Sequence, residues 1–145
     1  MSLGLLFSGQ GTQHAAMLPW LEDGSEASTA LSLLAGRLGD DWRARLDDPG
    51  WSTRNDIAQP LLTGVCLAAW EQLAPMLPAP RVIAGYSVGE LAAFSAAGVF
   101  DAASAMALAA ERARFMDECV RDVHTGLLSV SGAAPMAIER WCAEH

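Results

Sequence analysis

The chain has 145 residues, one domain's worth, and 52% of them are hydrophobic, enough to bury a sizeable core. Nine Lys and Arg against seventeen Asp and Glu leave a formal charge of −8, which argues against the basic footprint that nucleic acid or an anionic membrane surface requires. No apolar run reaches the roughly 18–20 residues of a membrane span, and "MSLGLLFSGQG" has neither a basic region nor a signal-peptide core with a cleavage site.

In chain order, "LGLLF" (3–7) reads as a short buried strand ended by Ser8-Gly9. Helical spacing over 26–38 predicts a helix with Ser25 as N-cap. The polar, Pro/Gly-punctuated stretch 40–56 reads as a surface connection with about one helical turn. Residues 57–77 predict a long apolar helix with Pro60 near its start. "PAPRVIAGY" gives a linker and a second strand, and "SVGELAAFSAAGVF" a helix ending at Gly98. Asp101 caps a helix over 102–120, "TGLLSVSG" (125–132) reads as a third strand, and "APMAIERWCAEH" as a helix still running at the last residue. That helix has no stop signal, so the structure is expected to continue past it. Short apolar strands alternating with helices predict an α/β fold with a parallel sheet and helices on both faces.

Cys66, Cys119 and Cys142 are widely spaced, with no Cys/His ligand pattern, so no metal site is expected. Cys66, in "TGVCLAAW", reads as a small core hydrophobe. An odd cysteine count in a chain without a signal peptide fits a reducing cytoplasm.

Two stretches carry chemistry. In "RVIAGYSVGELAAF" (81–94), Ser87 lies between Gly85 and Gly89, after an apolar run and before a helical one. That pattern is a nucleophile elbow, a sharp strand-to-helix turn that presents a serine at a helix N-terminus. There the free N–H groups favour developing negative charge, and the Val88 N–H is the natural first oxyanion donor. An N-cap serine between turn glycines is the plain alternative. In "LLFSGQGTQH" (5–14), Gly9 and Gly11 follow the first strand without completing a Walker or dinucleotide motif. Taken alone it is a tight turn.

Together, "FSGQGTQ" and "GYSVGELAA" resemble the malonyl-CoA:acyl-carrier-protein transacylase family, which includes polyketide synthase acyltransferase domains. "IAQPLLTGVCLAAW" is similar to its Gln-Pro-bearing helix and "AERARFMDE" to its arginine helix, with Arg112 at 25 residues after Ser87. "GLLSVSG" is similar to the strand that enters its small ferredoxin-like subdomain. The resemblance spans nearly the whole chain but about the first half of a family member. It implies that residues 1–124 belong to the large α/β-hydrolase-like subdomain and 125–145 open the small one.

The resemblance further implies Ser87 as the nucleophile carrying an acyl ester, with the Gln10 and Val88 backbone N–H groups as oxyanion hole. Arg112 would hold the free carboxylate of malonyl, in the bidentate manner that a lysine cannot copy. Gln59 and Tyr86 would border the same pocket. Without the resemblance, Arg112 reads as a helix-surface partner of Glu111, Asp117 or Glu118. A coenzyme A thioester would be the donor and the phosphopantetheine-type thiol of an acyl carrier protein the acceptor, with no bound cofactor.

Two departures stand out. Tyr86 occupies a position where the family usually has histidine, which bears on acyl selectivity. With Ser8 in place of the usual proline, it resembles the branch serving malonate decarboxylase, its epsilon subunit, whose partners would be the other subunits of that complex. The family's general-base histidine should lie beyond residue 145, leaving this stretch alone inactive. His14, His124 and His145 do not match it and read as surface or loop residues. The expected activity is malonyl transfer through a seryl ester, priming malonate decarboxylase. Alternatives are a fatty-acid or polyketide synthase acyltransferase, a serine hydrolase, or a non-enzymatic interaction domain.

Overall fold

The computed structural model describes residues 2–17, 28–123 and 130–144. Strands β1 (Gly4–Phe7) and β2 (Val82–Gly85) lie side by side and parallel, with Leu5 opposite Ile83 and Phe7 opposite Gly85. Backbone bonds from Arg81 N–H to the Leu3 carbonyl (2.8 Å) and from Tyr86 N–H to the Phe7 carbonyl (3.0 Å) extend the ladder at both ends. Because the strands are parallel and in this register, the loop after β1 and the turn after β2 emerge at the same edge.

Among the described residues, six α-helices follow the strands or connect them: α1 (Thr29–Leu38), α2 (Pro49–Ser52), α3 (Asn55–Leu73), α4 (Gly89–Ala96), α5 (Ala102–Cys119) and α6 (Pro135–Glu144). The central one is α3, which packs against α1, α4 and α5. Its close approach to α1 and α5 depends on Gly64, where an added Cβ would press on Met106 Sδ and Leu34 at 3.2–3.3 Å. Leu34 and Leu61 are completely buried in this core, each contributing about 1.5–3 kcal/mol of hydrophobic burial. The parallel α/β arrangement is the one the sequence predicts. Leu5, Phe7 and Ile83 join the core, whereas Leu6 and Val82 are exposed, so among the described residues helices cover one face of the sheet.

Several boundaries differ from the sequence reading. The N-cap of α1 is Ser28, whose Oγ accepts the Leu31 N–H and donates to Glu71 on α3 at 2.6 Å; Ser25 lies outside the described residues. The capping bond itself is local, three residues long, and the contact with Glu71, 43 residues away, adds a tertiary tie to it. Residues 40–56 are not a surface connection, for Trp42, Leu46 and Trp51 are all buried. Their polar neighbours sit on the outer side, with Arg45 stacked 4.3 Å above the Trp51 ring. Helix α3 starts at Asn55 and gives way at Ala74 to a 3-10 turn containing Pro75. Pro60 removes only the bond to the Asp56 carbonyl in the first turns. Asp101 does cap α5, accepting the Ser104 N–H at 2.7 Å. Of the expected third strand, 125–129 lie outside the described residues and 130–132 are not strand. The final helix is present as α6, with no buried residue.

Candidate active site

The turn after β2 is an elbow in the strict geometric sense. Ser87 has φ +55°, the one positive φ outside glycine among the described residues. Side chains at the flanking positions would meet backbone. A Cβ on Gly85 would land on the Gly89 carbonyl and the Glu90 nitrogen, and one on Gly89 would sit 2.5–2.6 Å from the Ser8 and Phe7 carbonyl oxygens. The two glycines thus let α4 fold back directly onto β1 and β2, which leaves Ser87 exposed at the tip. Val88, completely buried against Leu62 and Ala109, anchors the turn from below.

The loop after β1 lies beside this turn. A Cβ on Gly9 would sit 2.7 Å from Tyr86 Cδ1, so the exposed Tyr86 ring lies over the glycine loop. The loop is tied down by Thr12 Oγ1 donating to the Gly9 carbonyl (3.0 Å) and by Gln13, which accepts the Gly11 N–H (2.8 Å) and donates to the Ser52 carbonyl (3.1 Å). The Gln10 and Val88 backbone N–H groups bond to no backbone carbonyl among the described residues. They are the two donors the sequence reading names for an oxyanion.

Arg112, on α5, points at the elbow. Its Nη2 donates to Ser87 Oγ at 3.0 Å and its Nη1 to Gln59 Oε1 at 2.8 Å. The acidic neighbours that could have held it are occupied elsewhere. Arg114 takes both Glu111 and Glu118 at 2.6 Å, and Asp117 accepts from Asn55 at 2.6 Å. Gln59 is completely buried, and its Nε2 donates to Gln10 Oε1 (3.3 Å) and Met116 Sδ (3.0 Å). An apolar groove of about 580 Å³, lined by Leu91, Leu108, Phe115 and Cys119 together with Glu111 and Arg112, lies along the same stretch of α5. A guanidinium within hydrogen-bond reach of a serine hydroxyl can hold an anionic group next to that hydroxyl.

Met116, Asn55 and Asp117 also belong to this cluster, and the sequence reading passes over all three as site residues. A usable signal existed: Asn55 with Gln59, and Arg112 with Met116, are i,i+4 neighbours on their helices. His14 is exposed on the loop, while His124 and His145 lie outside the described residues. Burial pushes the Cys66 thiol above its usual range, opposed by Ser8, so it is a poor nucleophile. Among the described residues no cluster of His, Cys, Asp and Glu could hold a metal ion, and no helix is long and apolar enough to cross a membrane.

Residues 5–142 match the acyl transferase domain family model. The chain belongs to that family. This acyl transferase domain is 36% identical over 140 residues to the malonyl CoA-acyl carrier protein transacylase of Mycobacterium tuberculosis, covering 90% of this chain and 45% of that protein. A polyketide synthase of Streptomyces halstedii is 35% identical over 153 residues, covering 94% of this chain and 2% of that protein. Among solved structures, the malonyl-transacylase of a type II polyketide synthase, in complex with its holo acyl-carrier protein, superposes with TM-score 0.75 at 25% identity. It covers 99% of this chain and 48% of that one. The acyl transferase domain thus spans about half the length of the transacylase relative it matches.

Proposed function

We propose that the intact protein transfers malonyl from malonyl-CoA to the phosphopantetheine thiol of an acyl carrier protein through an ester on Ser87. The observation that carries this reading is the Arg112 guanidinium, 3.0 Å from Ser87 Oγ. A hydrolase of simple esters has no use for a cation aimed at its nucleophile. For a malonyl thioester it binds the carboxylate that sits one carbon from the reacting carbonyl.

In this mechanism Ser87 Oγ attacks the thioester carbonyl carbon while a base takes its proton. Charge collects on the carbonyl oxygen, where the Gln10 and Val88 N–H groups receive it. The C–S bond then breaks, coenzyme A leaves as the protonated thiol, and malonyl remains on Ser87. The carrier thiol attacks that ester by the same steps in reverse. The base is assigned to sequence outside these 145 residues, as the resemblance implies; Ser87 Oγ meets Arg112 and no histidine among the described residues. Residues 1–124 and 125–145 are read as the start of the large and small subdomains.

The acyl-carrier-protein acceptor draws support from the relatives, a transacylase and a transacylase–carrier complex by name. The narrower acceptor, the carrier subunit of malonate decarboxylase, rests on Tyr86 and Ser8 alone and is the second acceptor to assay. The test is a brief reaction of the intact protein with malonyl-CoA. One malonyl mass should appear on the Ser87 peptide, and Ser87→Ala should take none. Arg112→Ala should lower malonyl transfer about ten- to a hundredfold, the equivalent of about 1.5–3 kcal/mol for charge-assisted bonds, and leave acetyl transfer little changed. A malonyl adduct that maps to a cysteine, or malonyl and acetyl rates that fall together, would overturn the assignment.

A further inference from the structure

Behind Ser87 runs a continuous chain of side-chain hydrogen bonds. Arg112 Nη1 donates to Gln59 Oε1 (2.8 Å), Gln59 Nε2 to Gln10 Oε1 (3.3 Å), Gln10 Nε2 to Asn55 Oδ1 (2.8 Å), and Asn55 Nδ2 to Asp117 Oδ1 (2.6 Å). The direction of every link is dictated by the ends. A guanidinium can only donate and a carboxylate can only accept. With Arg112 donating, Gln59 must present its oxygen there and its NH2 to Gln10. Gln10 must then accept and pass its own NH2 to Asn55, whose NH2 needs an acceptor, and Asp117 is one. Turning any one of the three amides over would set oxygen against oxygen or NH2 against NH2.

From this chain we infer that Asn55 and Asp117 are positioning residues for acyl transfer: they lock the Gln10 side chain, and through it the Gln10 backbone N–H, at the oxyanion. The inference rests on the oxyanion role given to Gln10 above. Gln10 stands between Gly9 and Gly11, and Gly11 has φ +101°. Thr12 Oγ1 holds this peptide at the Gly9 carbonyl (3.0 Å) and Gln13 holds the next one at the Gly11 N–H (2.8 Å), both from within the loop, so the tie of the Gln10 peptide to α3 falls to the Gln10 side chain. That side chain reaches down to Asn55 and Gln59, one turn apart on α3. Asn55 and Asp117 touch neither Ser87 nor Arg112 in this network, so their effect on transfer must pass through the amides.

The test uses the intact protein and three variants: Asn55→Ala, Asn55→Asp, and Asn55→Asp with Asp117→Asn. The exchanged pair keeps the charge count and rebuilds the chain, with the carboxylate one link earlier accepting from both Gln10 and the new asparagine. Asn55→Asp alone sets two carboxylates against each other. Asn55→Ala and Asn55→Asp should each lower kcat roughly ten- to a hundredfold, less than the ~10²–10³ of losing an oxyanion donor outright. KM for malonyl-CoA should barely move, and malonyl and acetyl transfer should fall alike. The exchanged pair should restore most of kcat. A parental kcat in Asn55→Ala, or a folded exchanged pair as slow as Asn55→Asp, overturns the inference.

A second readout stands apart from activity. The side-chain NH2 resonances of Gln10 and Gln59 should shift and exchange faster in Asn55→Ala and return in the exchanged pair. If those resonances ignore Asn55, the network is refuted whatever the rates. If they respond and the parent protein transfers no malonyl, the network stands and the functional reading falls.

Discussion

Replacing Ser87 by glycine and by alanine in parallel measures the strain held in the elbow. Both variants lose Oγ and its 3.0 Å bond from Arg112, so they differ only in a Cβ at φ +55°. In ordinary backbone, alanine is the more stable of the two by about 0.4–1 kcal/mol, because glycine has more unfolded freedom to lose. In the left-handed region a Cβ costs roughly 1–2 kcal/mol. The difference leaves glycine ahead by about 1 kcal/mol, the reverse of the usual order. At about 2–4 °C per kcal/mol, Ser87→Gly should melt about 2–4 °C above Ser87→Ala. Thermal unfolding of the intact protein followed by circular dichroism reads the difference. Ser95, inside α4, supplies the control pair, where alanine should win by roughly 1 kcal/mol. An alanine variant at position 87 as stable as the glycine one would refute the claim that the native state holds this residue under strain.

The other predictions concern packing and capping. Gly89→Ala would press a Cβ onto the Ser8 and Phe7 carbonyl oxygens, backbone that cannot swing aside. It should cost about 1–3 kcal/mol in urea unfolding, whereas Gly36→Ala, helical and facing open space, should gain roughly 1 kcal/mol. Equal effects at the two positions would contradict the contact between α4 and β1. The Asp101 carboxyl is held below its usual range by the Ser104 N–H. Its folded pKa is the lower one, so its contribution is present above the unfolded value, about pH 4, and is lost as the pH falls through the folded value. Asp101→Asn keeps a capping oxygen that does not titrate, so its acid unfolding curve should be shallower below about pH 4; an unchanged acid limb would count against the cap.

Local pattern was enough for the parts of this protein that depend on neighbours in sequence. Short apolar runs ending at or just before a glycine turn gave β1 and β2, and the Gly-x-Ser-x-Gly spacing placed Ser87 on the turn between strand and helix. The glycines there answer a steric demand that any chain making this turn must meet, which is why the motif is legible without a structure. The Asp101 cap is equally local, with donor and acceptor three residues apart.

Tertiary structure decided whatever depends on which distant groups come together. Trp42 and Trp51 sit in a polar stretch, and only the packing of the core shows that they are buried. The Ser28 cap of α1 is tied to Glu71 on α3, a contact no local pattern shows. Arg112 had three acidic neighbours within one or two turns, and without the family resemblance its spacing favoured pairing with one of them. In the folded chain Arg114 and Asn55 take those carboxylates, which leaves the guanidinium to Ser87 and Gln59. A hydrogen-bond chain crossing from α5 to α3 to the β1 loop joins residues up to 62 positions apart. Periodicity within an element shows which residues share a face; the parallel register of β1 and β2 and the crossing of α3 with α5 decide what that face meets.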